Sequence, residues 1–202
     1  GFGAGGKTDT MTYTDELRWI KANLGPVIKQ AIAVALIKTP KLLYTEDWLA
    51  AIACRETGEL IAKRIAQSGN IPSGKQLETI APLIKGDYSQ RPGEKENSYH
   101  GFGFWQADIA SFPAFVRSGD WKDPGKACAM AIDILEGKRA FLQPHFPNLG
   151  GDALERAITA AYNCGEGNVR AVLNEAHDID IRTTGKNYSA HVWEFRKIYQ
   201  TF

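Results

Sequence analysis

One carboxylate in this chain lies where an ionised carboxylate is costly to keep. Trp48, Ile52 and Glu56 follow one another at intervals of four residues, so Glu56 continues the apolar face of a predicted helix. A carboxylate that loses water there without a partner is strongly destabilised. Its pKa then rises until it holds a proton near neutral pH, which is what general-acid catalysis requires. The alternative is a half-exposed Glu56 that pairs with Arg55 or Arg64.

Two later segments carry side chains that suit a binding site. In 100–108, His-Gly-Phe-Gly-Phe-Trp-Gln-Ala-Asp, glycines allow a close backbone approach, aromatic rings offer flat faces, and Gln106 and Asp108 offer directed hydrogen bonds. Such a mixture suits a sugar, although a core-forming turn uses the same residue types. In 159–170 a predicted helix ends at Tyr162 and Asn163 in a glycine turn. The alternative there is an ordinary helix end followed by a second helix.

These side chains need a mainly α-helical fold to position them. Helical periodicity begins at Thr14, breaks at Gly25-Pro26, and resumes from Thr45 in the helix that carries Glu56. The next stretch is rich in glycine and proline, so we expect irregular structure with room for a small β-hairpin within 69–103. Further helices are predicted at 126–141, 152–162, 168–173 and 188–199.

Length and composition favour one globular domain. The chain has 202 residues, and we expect a flexible glycine-rich tail at 1–12 followed by a single domain at 13–202. The net charge of +1 lacks the basic footprint of a nucleic-acid-binding protein. The longest apolar run, Ala31–Ile37, is far short of the roughly 20 residues of a membrane span. No signal peptide is recognisable at the start of the chain.

Metal and thiol chemistry have little support in the sequence. The four histidines are scattered, without a spacing that suits metal ligands. The three cysteines, Cys54, Cys128 and Cys164, fit neither a disulfide framework nor a metal site. We expect buried thiols, although a pairing of two of them stays open.

Taken in order, three motifs resemble those of goose-type lysozymes and the related soluble lytic transglycosylases. They are Arg55-Glu56, Gly101-Phe-Gly-Phe-Trp-Gln106, and Ala161-Tyr-Asn-Cys-Gly-Glu-Gly-Asn-Val-Arg170. The resemblance spans about 44–199 and implies a lysozyme-like helical fold, with a cleft between a helical lobe and the 69–108 region. It implies that Glu56 is the catalytic acid. The residues that it places against the sugars are Gln106, Tyr162, Asn163 and Tyr188, with Tyr99, His100 and Trp105 as weaker matches.

The same resemblance implies an enzyme that cleaves peptidoglycan. The bond would be the β-1,4 link between N-acetylmuramic acid and N-acetylglucosamine, with chitin oligomers as poor substrates. This chemistry needs no metal or organic cofactor. We expect a monomer that acts outside the cytoplasm, where its substrate lies. A non-catalytic peptidoglycan-binding module is the alternative, but it would have no need of Glu56.

The presence or absence of a second catalytic carboxylate distinguishes two possible reactions, hydrolysis and transglycosylation. In goose-type lysozymes two aspartates are thought to hold the attacking water, and Asp108 matches the later of them, which favours hydrolysis. The earlier one has no secure counterpart: an ungapped count gives Asn97, with Glu96 beside it and Asp87 further back. Lytic transglycosylases lack the pair, and the sugar's own 6-hydroxyl closes a 1,6-anhydro ring. Asp108 is also well placed simply to cap the next helix.

Overall fold

The computed structural model describes residues 10–202, so positions 1–9 of the predicted tail lie outside the described residues. The chain is mainly helical, as predicted, with a small three-stranded antiparallel sheet. In chain order the elements are α1 (Thr10–Asn23), α2 (Gly25–Lys38), α3 (Glu46–Ser68), α4 (Gln76–Ile80), β1 (Lys85–Ser89), β2 (Ser98–Phe102), β3 (Ala107–Asp108), α5 (Pro113–Ser118), α6 (Pro124–His145), α7 (Gly151–Cys164), α8 (Glu166–Asn174) and α9 (Tyr188–Tyr199). Short 3₁₀ turns lie at Ala81–Leu83, Asp120–Lys122 and Thr184–Lys186.

Helix α3 is the central element of the fold. Every residue from Trp48 to Cys54 is buried, because α1 and α9 pack against this helix. The indole N–H of Trp48 donates to Thr159 Oγ1 at 2.9 Å, which connects α3 to α7. Gly58 lies inside α3, and the helix continues past it to Ser68. The backbone that carries Glu56 is therefore held by the most buried part of the protein.

The small sheet confirms the predicted hairpin within 69–103. Strands β1 and β2 pair antiparallel, with Gly86 opposite Gly101, and β3 pairs with β2 so that Asp108 also lies opposite Gly101. Asp87, which follows Gly86, has a φ of 51°. This is the left-handed region, which aspartate tolerates better than most residues but which still costs energy. The hairpin thus holds one of the candidate carboxylates in an unfavourable backbone conformation.

The first helical region begins earlier than predicted, at Thr10 rather than Thr14. It breaks where expected, because α2 starts at Gly25 with Pro26 in its first turn, and α1 and α2 meet at 58°. In the part of the chain that the structure describes, no single helix has both the length and the hydropathy of a membrane span. Only the bent pair α1 and α2 meets those criteria together.

Two later helix boundaries also differ from the prediction. Helix α6 continues past Phe141 and contains Pro144 in its last turn, where a missing N–H removes only one hydrogen bond. Helix α8 begins at Glu166 instead of Asn168. Asn168 therefore lies inside the first turn of that helix, where its Nδ2 donates to the Cys164 carbonyl at 2.7 Å.

Candidate active site

Glu56 lies in the middle of α3 with its carboxyl directed at a tyrosine. The Tyr188 hydroxyl donates to Glu56 Oε1 at 2.6 Å, and Tyr188 is almost fully buried at the start of α9. Burial raises the pKa of the Glu56 carboxyl, against the lowering effects of the Tyr188 hydrogen bond and the Arg55 charge. This carboxyl therefore keeps its proton at a pH where an exposed glutamate is ionised.

The two arginines considered as ion-pair partners of Glu56 are directed elsewhere. Arg55 donates through Nη2 to the Thr184 carbonyl at 3.2 Å. Arg64 donates through Nε to the Leu83 carbonyl, also at 3.2 Å. Across residues 10–202 no ion pair includes Glu56, so the predicted alternative of a pairing with Arg55 or Arg64 does not hold, although the side chain is only half-buried.

A cavity of about 350 Å³ lies between α3 and β1. Its lining includes Glu56, Asp87 and Gln106, so it brings together three of the residues that the sequence singles out. A larger apolar groove of about 670 Å³ lies between α2 and α6, but none of the predicted site residues lines it. Since the titratable and hydrogen-bonding groups converge on the smaller cavity, that cavity is the candidate active site. The remaining lining residues are Glu59, Leu60, Lys63 and Gly86.

Gln106 is positioned by two glycines of the hairpin. A Cβ added at Gly86 or Gly101 would clash with Gln106 Oε1, so glycine at both positions makes room for this side chain above the sheet. Its Nε2 donates to the Gly103 carbonyl at 3.0 Å, and its φ is 51°. The sequence predicts that glycines here allow a close approach to the backbone. In the structure, the group that approaches Gly86 and Gly101 is the Gln106 side chain.

Trp105 and Tyr162 form hydrogen bonds that connect the cleft segment to α3 and α7. Trp105 is 2% exposed, and its indole N–H donates to the Leu49 carbonyl at 2.9 Å. The Tyr162 hydroxyl donates to the Trp105 carbonyl at 2.5 Å. The pKa of Tyr162 is well above its ordinary value, because the group is buried and lies close to the charge of Glu56. Trp105 thus presents no free face to a ligand in this structure, whereas Tyr162 lies beside Glu56.

Asn163 connects the end of α7 to the loop before α9. Its Oδ1 accepts from the Thr184 N–H at 2.8 Å, and its Nδ2 donates to Thr184 Oγ1 at 3.2 Å. Because Tyr188 follows directly on this loop, Asn163 helps to place the hydroxyl that meets Glu56. Its predicted contact with a sugar stays a prediction.

Tyr99 and His100 are neighbours on β2 with different surroundings. The Tyr99 ring packs against Tyr88, with centroids 4.8 Å apart, and Tyr88 is 60% exposed. His100 is buried, with Nδ1 2.9 Å from the Asp87 carbonyl and Nε2 2.6 Å from Glu94 Oε1. The carbonyl of Asp87 and the carboxylate of Glu94 raise the pKa of His100, because two acceptors require both ring nitrogens to carry protons.

Asp108 and Asp87 share one cation. Arg91 donates to Asp108 through both terminal nitrogens, at 3.2 and 2.6 Å, and to Asp87 Oδ2 at 2.8 Å. Burial acts to raise the pKa of Asp108, but hydrogen bonds from Arg91 and the Ala110 N–H outweigh it and leave that pKa low. The Arg91 hydrogen bond is also the main reason for the low pKa of Asp87. Only Asp87 lines the cavity with Glu56.

The predicted capping role of Asp108 takes a different form. Asp108 Oδ1 accepts from the N–H groups of Ala110 and Ser111, but the next helix, α5, begins only at Pro113. The other sequence candidates, Glu96 and Asn97, are exposed in the loop between β1 and β2 and do not line the cavity.

Sequence reasoning does not identify Arg91. Its only local signal is the Arg-Pro-Gly-Glu run at 91–94, which indicates a turn. Its partners are four and seventeen residues away along the chain, and nothing in the sequence connects the three positions before the hairpin is formed.

The described residues contain no group of three or more His, Cys, Asp or Glu side chains arranged to hold a metal ion. Cys54, Cys128 and Cys164 are free, the first two buried and the third half-buried. No protein-family model matches the sequence, and no curated protein matches it either.

Proposed function

We propose that this protein is a lysozyme-like glycosidase that cleaves the β-1,4 bond between N-acetylmuramic acid and N-acetylglucosamine in peptidoglycan, with Glu56 as general acid. The observation that carries the proposal is a half-buried carboxyl that lines an open cavity without an ion-pair partner, accepts a hydrogen bond from Tyr188, and has its pKa raised by desolvation. A carboxylic acid kept neutral by its surroundings is what protonation of a glycosidic oxygen requires. The mainly helical fold with a small sheet beside this cavity supports the same assignment.

The hydrogen bond from Tyr188 indicates which oxygen of Glu56 is the acid. Since Oε1 accepts from the Tyr188 hydroxyl, the carboxyl proton belongs on Oε2. Transfer of that proton to the glycosidic oxygen breaks the bond to the anomeric carbon. The negative charge left on Glu56 is then stabilised by the same tyrosine hydroxyl.

Asp87 is the better second carboxylate for hydrolysis. It lines the cavity with Glu56, and each of its oxygens accepts one hydrogen bond, from Ser89 to Oδ1 and from Arg91 to Oδ2. Further lone pairs remain to orient a water and accept its proton as the oxygen attacks the anomeric carbon. Asp108, which the sequence favours, does not line the cavity and accepts from both Arg91 and its own turn.

Lytic transglycosylation is the second candidate. Arg91 binds both aspartates, and a carboxylate held by arginine is a weak base. In that case Glu56 would act first as acid and then as base, and the sugar's 6-hydroxyl would displace the leaving group. Mass spectrometry of digested peptidoglycan separates the two reactions, because hydrolysis gives reducing ends and transglycosylation gives 1,6-anhydromuramic ends.

The decisive variant is Glu56→Gln, which keeps the shape of the side chain and removes its acidic proton. We expect wall lysis to fall by about 100- to 10,000-fold, the usual contribution of a general acid. Glu78→Gln is the matched control, because Glu78 is an exposed glutamate on α4 that does not line the cavity. Undiminished lysis by Glu56→Gln would end the proposal, and binding without cleavage by the wild-type protein would favour a non-catalytic module. Chitin oligomers tested alongside peptidoglycan measure the preference for the muramyl sugar.

A further inference from the structure

We infer that Arg91 is a positioning residue, which holds the Asp87 carboxylate toward the cavity by binding it to Asp108. The inference rests on the proposed function, in which Asp87 orients the attacking water. Arg91 itself does not line the cavity, so its role is exerted through Asp87.

The geometry of the guanidinium favours one arrangement of the three groups. Arg91 grips Asp108 with both terminal nitrogens, at 3.2 and 2.6 Å, and the second of these nitrogens also donates to Asp87 Oδ2 at 2.8 Å. A planar guanidinium fixes the direction of each N–H, so the position of Asp108 determines where Asp87 is held. A lysine in the same place would supply charge without this direction.

The two aspartates are not equivalent partners. Asp108 is fixed by the fold: it lies on β3 opposite Gly101, and its Oδ1 also accepts from the Ala110 N–H at 2.8 Å. The Asp87 side chain is 50% exposed. Besides Arg91, its side-chain partners among the described residues are the Ser89 hydroxyl, at 3.0 Å from Oδ1, and the His100 ring, whose Nδ1 lies 3.8 Å from Oδ2. Asp108 therefore fixes Arg91, and Arg91 in turn fixes the freer carboxylate, which is the one facing Glu56.

Hydrogen bonds to Glu94 and His100 also fix the main chain of the hairpin around Asp87. The Arg91 N–H donates to Glu94 Oε1 at 2.7 Å, and His100 Nε2 lies 2.6 Å from the same oxygen. His100 Nδ1 lies 2.9 Å from the Asp87 carbonyl. Asp87 is thus held through its main chain by His100 and through its side chain by Arg91. This double support explains how the residue keeps a φ of 51°.

Loss of Arg91 should release this arrangement. Asp87 and Asp108 would then be two carboxylates near each other without the arginine between them, and repulsion would turn the more exposed Asp87 away from Asp108. The charged or titratable groups that still face Asp87 would be His100, whose Nδ1 lies 3.8 Å from Oδ2, and Glu56, Glu59 and Lys63 in the cavity. The pKa of Asp87, which the Arg91 hydrogen bond holds low, would rise toward its ordinary value. The rate would fall because the attacking water is misplaced, and the carboxylate would titrate at a higher pH.

The test compares Arg91→Met with Lys95→Met, which removes an exposed cation from the same loop without breaking an ion pair in the described residues. Peptidoglycan cleavage is measured against substrate concentration and pH for each variant. We expect Arg91→Met to lower kcat by about 100-fold with little change in KM, as for a misplaced reacting group. The acid limb of its pH–rate profile should move to higher pH. Lys95→Met should resemble the wild type in both respects.

The Arg91→Lys variant distinguishes the effect of the positive charge from the effect of the fixed hydrogen-bond directions. It should return the acid limb toward its wild-type position while leaving kcat low, because an ammonium group restores charge but not the fork geometry. Circular dichroism confirms that each variant is folded before its rates are compared.

Three results would overturn the inference. A wild-type kcat in Arg91→Met would do so, as would a low kcat with an unmoved acid limb, since that indicates a structural effect only. Full recovery of kcat in Arg91→Lys would show that direction is unimportant. Glu56→Gln measured in parallel keeps the two proposals apart: activity in that variant rejects the proposed function, whereas its inactivity beside a normal Arg91→Met rejects only the role of Arg91.

Discussion

Glu16 offers a quantitative test of how burial acts on a carboxyl in this fold. Glu16 lies on α1, is 7% exposed, and has an Oε2 without a hydrogen-bond partner among the described residues. Burial, with smaller effects from Glu59 and Asp15, raises the pKa of Glu16 from 4.5 to about 7. A difference of about 2.5 pH units, at 1.36 kcal/mol each, corresponds to about 3 kcal/mol.

The direction of the pH dependence of stability follows from the fact that the folded protein binds the Glu16 proton more tightly than the unfolded chain does. The folded protein binds it at pH values where the unfolded chain has already released it, so the free energy of unfolding falls as the pH rises from about 4.5 to about 7. Glu16→Gln removes the titration. We expect the variant to be more stable than the wild type by about 3 kcal/mol at about pH 8, but by under about 1 kcal/mol at about pH 5.

Thermal unfolding at the two pH values measures this difference. For a chain of this length, about 3 kcal/mol corresponds to an increase in Tm of roughly 6–12 °C at the higher pH. Glu96→Gln is the matched control, because it makes the same substitution at an exposed glutamate in the loop between β1 and β2 and should change stability by under about 0.5 kcal/mol. The same stability difference between Glu16→Gln and wild type at both pH values would refute the reasoning.

Three further predictions address the site and its support. Gly58→Ala should lower the free energy of unfolding by about 1–3 kcal/mol, because an added Cβ would lie 2.7 Å from Glu16 Oε2; denaturant unfolding measures this, and equal stability contradicts it. Tyr188→Phe should lower kcat about tenfold by removing a hydrogen bond, and should move the alkaline limb of the pH–rate profile upward because the pKa of Glu56 rises; an unmoved limb counts against this. The wild type should lose stability as the pH rises through the raised pKa of His100. The deprotonated ring has one N–H, so it can no longer donate to both the Asp87 carbonyl and the Glu94 carboxylate. His100→Gln should flatten that part of the Tm–pH profile.

The helical frame and the place of Glu56 on α3 are predictable because both depend on local periodicity. The spacing from Trp48 to Glu56 gives the apolar face directly, and the structure places that face in the core of the protein. The small hairpin is predictable only as a region, since its glycines indicate turns without fixing the register. The register depends on long-range contacts, such as that of Gln106 over Gly86 and Gly101.

The sequence names Asp108, Glu96 and Asp87 as candidates for a second carboxylate but does not say which of them reaches the cavity, because that depends on how a loop folds back. An ungapped count from the aromatic segment points to Asn97, whereas the hairpin brings Asp87 to the cavity from further back in the chain. Trp105 shows a related limit. An aromatic ring can bind a sugar or fill a core, and only the contact of its indole N–H with the Leu49 carbonyl distinguishes the two uses.

In the proposed mechanism, Tyr188 explains how Glu56 would both hold a proton and release it. Burial favours the neutral acid, while a hydroxyl that donates to Oε1 favours the carboxylate that remains after proton transfer. An arginine in the same position would favour the carboxylate far more strongly and would remove the proton before any substrate arrived. Arg55, the neighbouring cation, instead lies over the Tyr188 ring and donates to the Thr184 carbonyl. Its charge thus supports the tyrosine without forming an ion pair with the acid, and this arrangement lets the fold keep a cation beside Glu56 without losing its acidity.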